Sequence, residues 1–351
     1  MVQPIRVLVC HPISWEGRSQ ADTERDAALL RALDDRIEIT FEPYLESDAL
    51  RGLRGHPPYD EARRLASALT PAQAAAFAQA EIVLAFDLPF DIDRHAPGLK
   101  WVHAMASGVG QLQSAGLEKT DALLTNSAGI VAAPIAEFVL ARILAAWKRF
   151  PALEQMQRDR LWTRNHGRSL AGSTIGIVGY GAIGSAVAGR AKALGMRVVA
   201  TRRNLPPGDP AVDRFYPVSA LAALLAESDA VVLCAPETPE TFHLFDRDAF
   251  AAMKPGSYFC NVARGSLVDE PALIAALESG HLSGAAIDVA QTEPLPPEDP
   301  LWRAPNLAIS PHSAAALEDY FTLVWRLFRE NMRRYLAGEA LMNRCPPGFT
   351  A

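Results

Sequence analysis

The chain has 351 residues, of which 49% are hydrophobic and 21% charged, and its formal net charge at pH 7 is −6. This balance is typical of a globular protein and excludes disordered, collagen-like and small disulfide-scaffold classes. At about 150 residues per domain the length predicts two domains, and an acidic chain without a cluster of Lys and Arg is not expected to bind nucleic acid.

The cysteines and the apolar segments indicate the cellular compartment in which we expect the protein. The four cysteines show no C-x-x-C spacing, so the sequence predicts no metal site and no disulfide framework. The most apolar stretch, residues 122–147, is interrupted by Asn126, Glu137 and Arg142 before it reaches the roughly 18 uncharged residues of a membrane span. The amino terminus lacks a secretory h-region and a cleavage site. We therefore expect a soluble cytoplasmic protein with no membrane partner.

Short apolar segments with helical stretches between them fill the first third of the chain. They predict strands over residues 5–10, 37–41, 82–86, 101–105 and 123–125. This alternation is typical of a parallel sheet. A helix is expected from Pro134 to Phe150, because proline suits the first helical turn and apolar residues follow at helical spacing. Pro151 is expected to end it.

A second series of strands follows that helix. It is predicted over residues 174–178, 197–201, 230–234, 258–261, 285–288 and 307–310. Their nearly continuous apolar character indicates strands buried on both faces. A long amphipathic helix over residues 318–337 should then bury Tyr320, Leu323, Val324, Leu327 and Met332 and end at Gly338. The chain is expected to cross between domains near Asn126 and Leu317, giving one domain of residues 1–125 plus 318–351 and another of residues 126–317.

A glycine-rich turn directly follows the predicted strand 174–178. Residues 179–184 form a G-x-G-x-x-G motif and open a predicted helix. A buried strand before the motif and a helix after it are the context of a dinucleotide-binding site. Gly179 would permit the tight turn, Gly181 would let a pyrophosphate approach the backbone, and Gly184 would let the helix pack on the strand.

Two arginines follow the second strand of this series. NAD-binding folds usually carry an acidic residue about 20 positions after the glycines, where it binds the adenosine ribose. Here residues 197–201 run into Arg202, Arg203 and Asn204. Because the planar guanidinium fork matches a phosphate, the sequence favours NADP(H). If these arginines are only solvated, an enzyme that uses NAD(H) or both cofactors remains open.

Three further polar residues follow predicted strands: Arg264, Glu293 and His312. The carboxyl ends of parallel strands form the ligand crevice of a doubly wound sheet, so we expect these side chains to converge there. A cation, a carboxylate and an imidazole suit carbonyl reduction, because one group must hold an anionic substrate and another must deliver a proton.

At these residues the sequence resembles the D-isomer-specific 2-hydroxyacid dehydrogenases, including glyoxylate and hydroxypyruvate reductases. The resemblance extends over roughly residues 80–345 and rests on an ordered set of segments: residues 107–110, Asn126, 179–184, 235–241, 261–270, 288–294, 300–302 and 311–312. It implies an α/β fold of two Rossmann-like or flavodoxin-like doubly wound parallel-sheet domains, with the active site in the cleft between them. Residues 1–125 with 318–351 would bind substrate, and residues 126–317 would bind the dinucleotide.

The resemblance also implies the role of each site residue. Arg264 would bind the carboxylate and carbonyl oxygen of a 2-oxo acid, and His312 would donate the proton. Glu293 would pair with His312 and raise its pKa. The substrate would also be bound by Ser107, Gly108 and Val109, whose amides form an anion nest. The residues implied to bind the cofactor are Tyr180, Gly181, Ala182, Ile183, Arg202, Arg203, Asn204, Cys234, Ala235, Pro236, Thr241, Val262, Ala263, Arg264, Asp288 and His312, with Asp288 and the Ala263 backbone on the carboxamide.

The expected reaction is the reduction of a small 2-oxo acid, such as glyoxylate or hydroxypyruvate, to the D-2-hydroxy acid by NADPH or NADH. Formate-oxidising relatives carry glutamine in place of Glu293, and phosphite-oxidising relatives carry lysine in place of Ser107, so neither reaction is favoured. The helix from Pro134 to Phe150 and the following loop, which includes Trp162, resemble the dimer contact of relatives and imply a homodimer.

Two other classes remain open. One is a dinucleotide-sensing binding protein on the same scaffold, as in corepressors that resemble the family, which fold similarity alone does not exclude. The other is a different two-domain NAD enzyme, such as an alanine dehydrogenase or a homocysteine-releasing hydrolase. Arg264, Glu293 and His312 favour the reductase over both.

Overall fold

A computed structural model of the chain describes residues 3–15, 18–55, 57–204 and 208–346. The chain divides into two compact units: the first comprises Met1–Ile130 and Leu317–Ala351, and the second is Val131–Ala316. Each unit is built on one mainly parallel sheet with helices, so the expected pair of doubly wound α/β folds is confirmed. None of the helices within the described ranges is long and apolar enough to cross a bilayer.

The first unit has a six-stranded sheet in the order β13-β5-β4-β3-β1-β2. Its strands are β1 (Ile5–Val9), β2 (Ile37–Phe41), β3 (Ile82–Ala85), β4 (Trp101–Ala104), β5 (Leu123–Thr125) and β13 (Arg344–Cys345). Its helices are α1 (Gln20–Arg31), α2 (Asp48–Arg54), α3 (Asp60–Leu65), α4 (Pro71–Gln79), α5 (Ile92–His95), α6 (Gly110–Gln113) and α13 (Tyr320–Leu336). All pairs are parallel except β13 with β5.

The two faces of this sheet bury different apolar clusters. One face packs α1 and α13 against alternate residues of the strands, including Val7, Leu84 and Trp101. The other packs Phe77 of α4 and Leu112 of α6 against the intervening residues. This alternation follows from the two-residue period of a strand, and it buries the sheet on both faces.

The second unit has a seven-stranded sheet in the order β12-β11-β10-β9-β6-β7-β8. Its strands are β6 (Thr174–Val178), β7 (Arg197–Thr201), β8 (Arg214–Tyr216), β9 (Ala230–Leu233), β10 (Ser257–Asn261), β11 (Leu282–Ile287) and β12 (Leu307–Ile309). Its helices are α7 (Ala132–Trp147), α8 (Phe150–Arg158), α9 (Ala182–Ala193), α10 (Leu221–Glu227), α11 (Arg247–Ala252) and α12 (Glu270–Glu278). All its strand pairs are parallel, so the loops after them share one edge.

Two helix predictions need correction. Pro151 does not end the helical region, because α7 stops at Trp147 and Pro151 lies in the first turn of a second helix, α8, where proline is tolerated. Helix α13 buries Phe321, Val324, Trp325, Phe328 and Met332, whereas the predicted Tyr320, Leu323 and Leu327 are only partly buried. The large aromatic rings of Phe321, Trp325 and Phe328 occupy the core in their place.

Candidate active site

The glycine turn at the start of α9 has the geometry that an anion site needs. Gly179 has φ = +101°, and a Cβ there would lie 2.6 Å from the Ala235 backbone. A Cβ on Gly184 would lie 2.4 Å from the Gly179 carbonyl oxygen, whereas a Cβ on Gly181 would meet nothing within 4 Å. Gly179 and Gly184 therefore permit tight packing, whereas Gly181 keeps space open beside the helix.

The amino end of α9 is free to receive a negatively charged group. Gly181 is the N-cap residue, and no side chain in the described part of the chain caps the helix. The first-turn amides of a 12-residue helix and its dipole favour an anion at this end. The turn follows β6 and faces the loop after β9, which is the point where the strand order reverses. These residues therefore fit the pyrophosphate of a nicotinamide dinucleotide.

The arginines after β7 are exposed. Neither Arg202 nor Arg203 forms an ion pair with another described residue. In the same region the hydroxyl of Tyr180, which lies in the glycine turn, donates a hydrogen bond to Asp209 over 2.7 Å. The charge of Arg202 acts on both Tyr180 and Asp209. Two solvent-facing guanidinium groups thus stand beside the turn, with Asn204 next to them in the sequence.

Several residues implied to bind the cofactor already have structural partners. The Cys234 thiol donates to the Gly179 carbonyl oxygen over 2.9 Å, and burial raises its pKa to about 12, so it remains neutral. The Thr241 hydroxyl donates to the Pro236 carbonyl over 2.8 Å and accepts from the Thr238 amide over 2.8 Å. Both side chains therefore shape the loop after β9, and only its backbone and outer surface are left for a ligand.

Arg264 is held in place by the strand that precedes it. The Asn261 side chain, at the buried end of β10, accepts from the Ala263 amide over 2.9 Å and donates to the Arg264 carbonyl over 3.0 Å. One Arg264 Nη1–H donates to the Ala263 carbonyl over 2.7 Å. Gly265 follows with its Cα against the loop after β11, since a Cβ there would lie 1.9 Å from the Ala290 carbonyl carbon. This positioning role of Asn261 was not predicted, although a buried polar residue at a strand end is the signal for it.

Asp288 organises the loop that carries the histidine. Its buried carboxylate accepts from the Ser310 hydroxyl over 2.6 Å and from the amides of Ser313 and Ala314 over 2.9 Å each. The His312 amide donates to the Asp288 carbonyl over 2.8 Å. These contacts hold His312 at φ = +52°, a conformation that a non-glycine residue adopts only where its surroundings fix it. The observed contacts of the Asp288 side chain are therefore with its own protein.

Glu293 and His312 form a hydrogen-bonded pair. His312 Nδ1 donates to Glu293 Oε2 over 2.8 Å, and Glu293 Oε1 accepts from the Ala290 amide over 3.0 Å. His312 Nε2 has no hydrogen-bond partner among the residues that the structure describes. Both side chains are partly exposed, at 50% for His312 and 40% for Glu293. The pair therefore presents one free imidazole nitrogen to a ligand.

The hydrogen bond between His312 and Glu293 favours the charged form of each side chain. The hydrogen bond that His312 donates to the Glu293 carboxylate raises the pKa of His312 above its ordinary value of 6.5, although partial burial and the charge of Arg264 oppose the shift. Partial burial alone would raise the pKa of Glu293, but the hydrogen bonds from His312 and Ala290 outweigh it and leave the pKa below 4.5. Both shifts favour the charged pair, an imidazolium beside a carboxylate, and the charge of Arg264 acts on both groups.

The implied anion nest lies in the first unit, after β4. The amides of Gly108 and Val109 donate to no other residue in the ranges described, and α6 begins at the next residue. The segment is fixed from behind, because the Asn126 side chain donates to the Ser107 carbonyl and the Ser127 amide donates to the Ala106 carbonyl over 3.0 Å. Two free, neighbouring backbone N–H groups on a fixed segment can receive a carboxylate.

Comparisons with known proteins point to one family. The model of the family described as D-isomer specific 2-hydroxyacid dehydrogenase, NAD binding domain, matches residues 140–314. The chain is 34% identical to a glyoxylate reductase of Korarchaeum cryptofilum over 271 residues, covering 72% of this chain and 80% of that protein. It is 33% identical to glyoxylate/hydroxypyruvate reductase B of Klebsiella pneumoniae strain 342 over 284 residues, covering 78% of this chain and 87% of that protein.

A solved structure extends the similarity to the whole chain. A D-isomer specific 2-hydroxyacid dehydrogenase from Xanthobacter autotrophicus Py2, crystallised with NADPH and MES, superposes with a TM-score of 0.74 at 28% identity and covers 99% of each chain. These matches agree with the fold, which has one mainly parallel sheet in each unit and a glycine turn after β6. The chain belongs to the D-isomer specific 2-hydroxyacid dehydrogenase family, the NAD(P)-dependent oxidoreductases that its sequence resembles.

Proposed function

We propose that this protein reduces a small 2-oxo acid, such as glyoxylate, hydroxypyruvate or a close analogue, to the D-2-hydroxy acid, with NADPH favoured over NADH. The observation that carries the proposal is the hydrogen bond of 2.8 Å between His312 Nδ1 and Glu293 Oε2, which leaves Nε2 free. When protonated, an imidazole with its Nδ1–H bonded and its Nε2–H unpaired can act as the general acid for a carbonyl oxygen. The reductase names of the two relatives support the substrate class.

Proton delivery would fall to His312. Its Nε2–H donates to the carbonyl oxygen of the substrate, and that proton becomes the hydroxyl proton of the product. The Glu293 carboxylate keeps the Nδ1–H bond throughout, so the imidazole is reoriented neither before nor after the transfer. When bound, the nicotinamide cofactor supplies the hydride that the carbonyl carbon receives. One hydride and one proton convert the 2-oxo acid to the 2-hydroxy acid.

Two anion-binding elements would hold the substrate. Arg264 donates from Nη1 to the Ala263 carbonyl, and its other N–H groups, which bond to no further residue in the described part of the chain, would bind a carboxylate and a carbonyl oxygen. The free amides of Gly108 and Val109, next to Ser107, would bind the substrate carboxylate from the first unit. A charge-assisted contact at the reacting oxygen strengthens as negative charge develops there, so Arg264 would contribute to kcat as well as to KM.

The cofactor would lie along the carboxyl edge of the second sheet. Residues Tyr180, Gly181, Ala182 and Ile183 would hold its pyrophosphate at the start of α9, and Arg202, Arg203 and Asn204 would face its adenosine end. Asp288 and the Ala263 backbone would face the carboxamide, while residues after β9 and β10, among them Cys234, Ala235, Pro236, Thr241 and Val262, would line the rest. In this assignment the first unit binds substrate and the second binds the dinucleotide.

The direct experiment follows the oxidation of NADPH and NADH across a panel of 2-oxo acids. The proposal expects turnover with at least one acid, a D-configured product where the product is chiral, and a higher kcat/KM with NADPH. Tight NADPH binding without oxidation by any acid would instead favour a dinucleotide-sensing protein, and equal use of the two cofactors would remove the NADPH preference alone.

Changing Glu293 to Gln is expected to shift the pH dependence of reduction. The amide still accepts from Nδ1 but carries no charge, so the pKa of His312 falls towards and below its ordinary value. Since reduction needs the protonated imidazole, the alkaline fall in kcat/KM should begin at lower pH than in the wild type, and the loss of rate should be smallest at acid pH. Rate measurements across the neutral and mildly alkaline range would show this.

The matched control for that variant is Glu298→Gln, because Glu298 is an exposed carboxylate on the turn that follows. Its profile should coincide with that of the wild type. An unshifted profile in Glu293→Gln would mean that the carboxylate does not tune His312.

Changing Arg202 to Asp is expected to shift the cofactor preference from NADPH towards NADH. The substitution removes a cation that would face the 2′-phosphate and introduces a carboxylate that accepts from ribose hydroxyls. Because hydrogen bonds to charged groups are worth about 1.5–3 kcal/mol, the ratio of kcat/KM for NADPH to that for NADH should fall about tenfold or more. Arg247→Asp, at an exposed position on α11, is the control and should leave the ratio unchanged. The same ratio in both variants would refute the phosphate contact.

A homodimer would cover an apolar surface on the second unit. Phe150 and Leu153 of α8, together with Leu161 and Trp162 of the following loop, are all exposed, and Trp162 is as exposed as in an extended chain. Adjacent exposed apolar side chains of this size mark interaction surfaces. Sedimentation of the wild type as a dimer and of Trp162→Ser as a monomer or a weaker dimer would support this assignment; a monomeric wild type would exclude it.

A further inference from the structure

The sheet of the first unit has its own ligand crevice. Strand β1 lies between β2 and β3, so the order of strands reverses between β1 and β3. Ligands of doubly wound sheets lie outside the carboxyl ends of the strands at this point. The segments there are residues 10–15 after β1 and residues 86–88 after β3. Neither Trp15 nor Phe86, which stand at this position, has a role in the reaction described above.

Aromatic side chains line this crevice. The Trp15 ring lies edge-on to Phe86 with centroids 5.3 Å apart, and 5.0 Å from the ring of Phe321 at the start of α13. Phe86 and Phe321 are 6.4 Å apart. Phe321 is buried, whereas Trp15 and Phe86 are partly exposed. We call these three side chains the aromatic wall, and its open part consists of Trp15 and Phe86.

The aromatic wall is tied to the anion nest at Gly108 and Val109. Gln111, in the helix that begins directly after the nest, donates to the Phe86 carbonyl over 3.2 Å. Tyr320, the neighbour of Phe321, donates from its hydroxyl to the Met105 carbonyl over 2.6 Å, just upstream of the nest. Both contacts lie within the first unit. A molecule whose carboxylate sits on the nest therefore has the aromatic wall along the same sheet edge.

The charged groups next to the wall are engaged with one another. Asp87 is fully buried and accepts from Arg51 over 2.8 Å and from the Glu46 amide over 2.9 Å. Arg54 is 1% exposed and donates to Ser114 over 2.7 Å and to the Glu46 carboxylate. Since these charges are paired with one another, the side of the crevice formed by Trp15 and Phe86 offers mainly apolar contact.

We propose that the aromatic wall receives the substituent on the substrate's carbonyl carbon, so that 2-oxo acids bearing an aryl or branched alkyl group are preferred to glyoxylate. This inference rests on the proposed function and narrows its substrate class. Glyoxylate has only a hydrogen in this place and gains nothing from the wall. Each methylene accommodated by an apolar pocket changes kcat/KM by roughly 10-fold or more, so phenylpyruvate and 4-methyl-2-oxopentanoate should exceed glyoxylate by at least about tenfold.

The test compares kcat/KM for phenylpyruvate, 4-methyl-2-oxopentanoate and glyoxylate, with NADPH, in the wild type and in two variants. Phe86→Ala and Trp15→Leu should each lower kcat/KM for phenylpyruvate about tenfold or more and change that for glyoxylate by no more than about twofold. Two variants at different positions guard against a local loss of structure in one of them. Trp302→Ala, an exposed indole in the second unit, is the control and should change neither value.

The outcomes separate the two proposals. Oxidation of NADPH by glyoxylate but not by the larger acids, or equal losses for all acids in Phe86→Ala and Trp15→Leu, would overturn the role of the aromatic wall and leave the reductase assignment standing. No oxidation with any 2-oxo acid would overturn both. Preference for the larger acids, lost selectively in both variants, would support the wall.

Discussion

Replacing His312 with alanine is expected to lower kcat for 2-oxo acid reduction by at least about 100-fold, because general acid catalysis typically supplies that much. His312 Nε2 has no hydrogen-bond partner among the described residues, so the imidazole can donate a proton from it. The Glu293 carboxyl cannot replace the imidazole, because the pKa of Glu293 lies below its ordinary value and the group carries no proton near neutral pH. The dissociation constant of NADPH, measured by fluorescence titration, should change little. Steady-state rates and this titration on the same preparation give the two quantities.

A histidine elsewhere in the second unit provides the control. His281 lies just before β11, at the opposite edge of the sheet from the loop of His312, and its ring contacts the Met253 carbonyl. His281→Gln should retain the wild-type kcat. If His312→Ala turned over within a few fold of the wild type, the proton would have to come from another group, and the mechanism proposed above would be wrong.

Replacing Arg264 with glutamine is expected to lower kcat/KM by about 100- to 1,000-fold, as removal of a donor to a developing oxyanion does in other enzymes. The effect should appear in both constants: KM rises because the substrate carboxylate loses a cation, and kcat falls because the carbonyl oxygen loses a donor in the transition state. Arg264→Lys should recover only part of the loss, since an ammonium group cannot reproduce the bidentate fork.

Arg303 serves as the matched control, because it is an exposed arginine on the short turn after β11. Arg303→Gln should leave both constants unchanged. A rise in KM without a change in kcat for Arg264→Gln would restrict Arg264 to binding, and full recovery by Arg264→Lys would show that charge alone is needed.

The sheets could be predicted because parallel strands are buried on both faces. Every predicted strand range contains or overlaps a strand of the structure, since a run such as Thr174–Val178 has no polar face to confuse its period. The strands that were not predicted, Arg214–Tyr216 and Arg344–Cys345, have three and two residues. Both lie at the edge of a sheet and begin with an exposed arginine, so they lack the buried apolar run by which the other strands were predicted.

The site was predictable as a set of loops but not as a set of contacts. Loop positions follow from strand order, which is why Arg264, Glu293 and His312 could be expected at one edge. Their support could not be read in the same way. The Asp288 carboxylate accepts hydrogen bonds from Ser310, Ser313 and Ala314. These contacts depend on how the loop after β12 folds back onto β11. The spacing of residues in the sequence does not predict the path of this loop.

Because the two directions of the reaction need opposite states of one imidazole, the pH dependence of kcat/KM in both directions tests the central claim most directly. Reduction of the 2-oxo acid needs protonated His312 and oxidation of the D-2-hydroxy acid needs the neutral ring, so one ionisation should appear in both profiles. We predict that reduction falls and oxidation rises with pH through a shared apparent pKa above 6.5, and that both transitions disappear in His312→Ala. Profiles that share no ionisation, or that keep it in His312→Ala, would contradict the assignment of His312 as the acid.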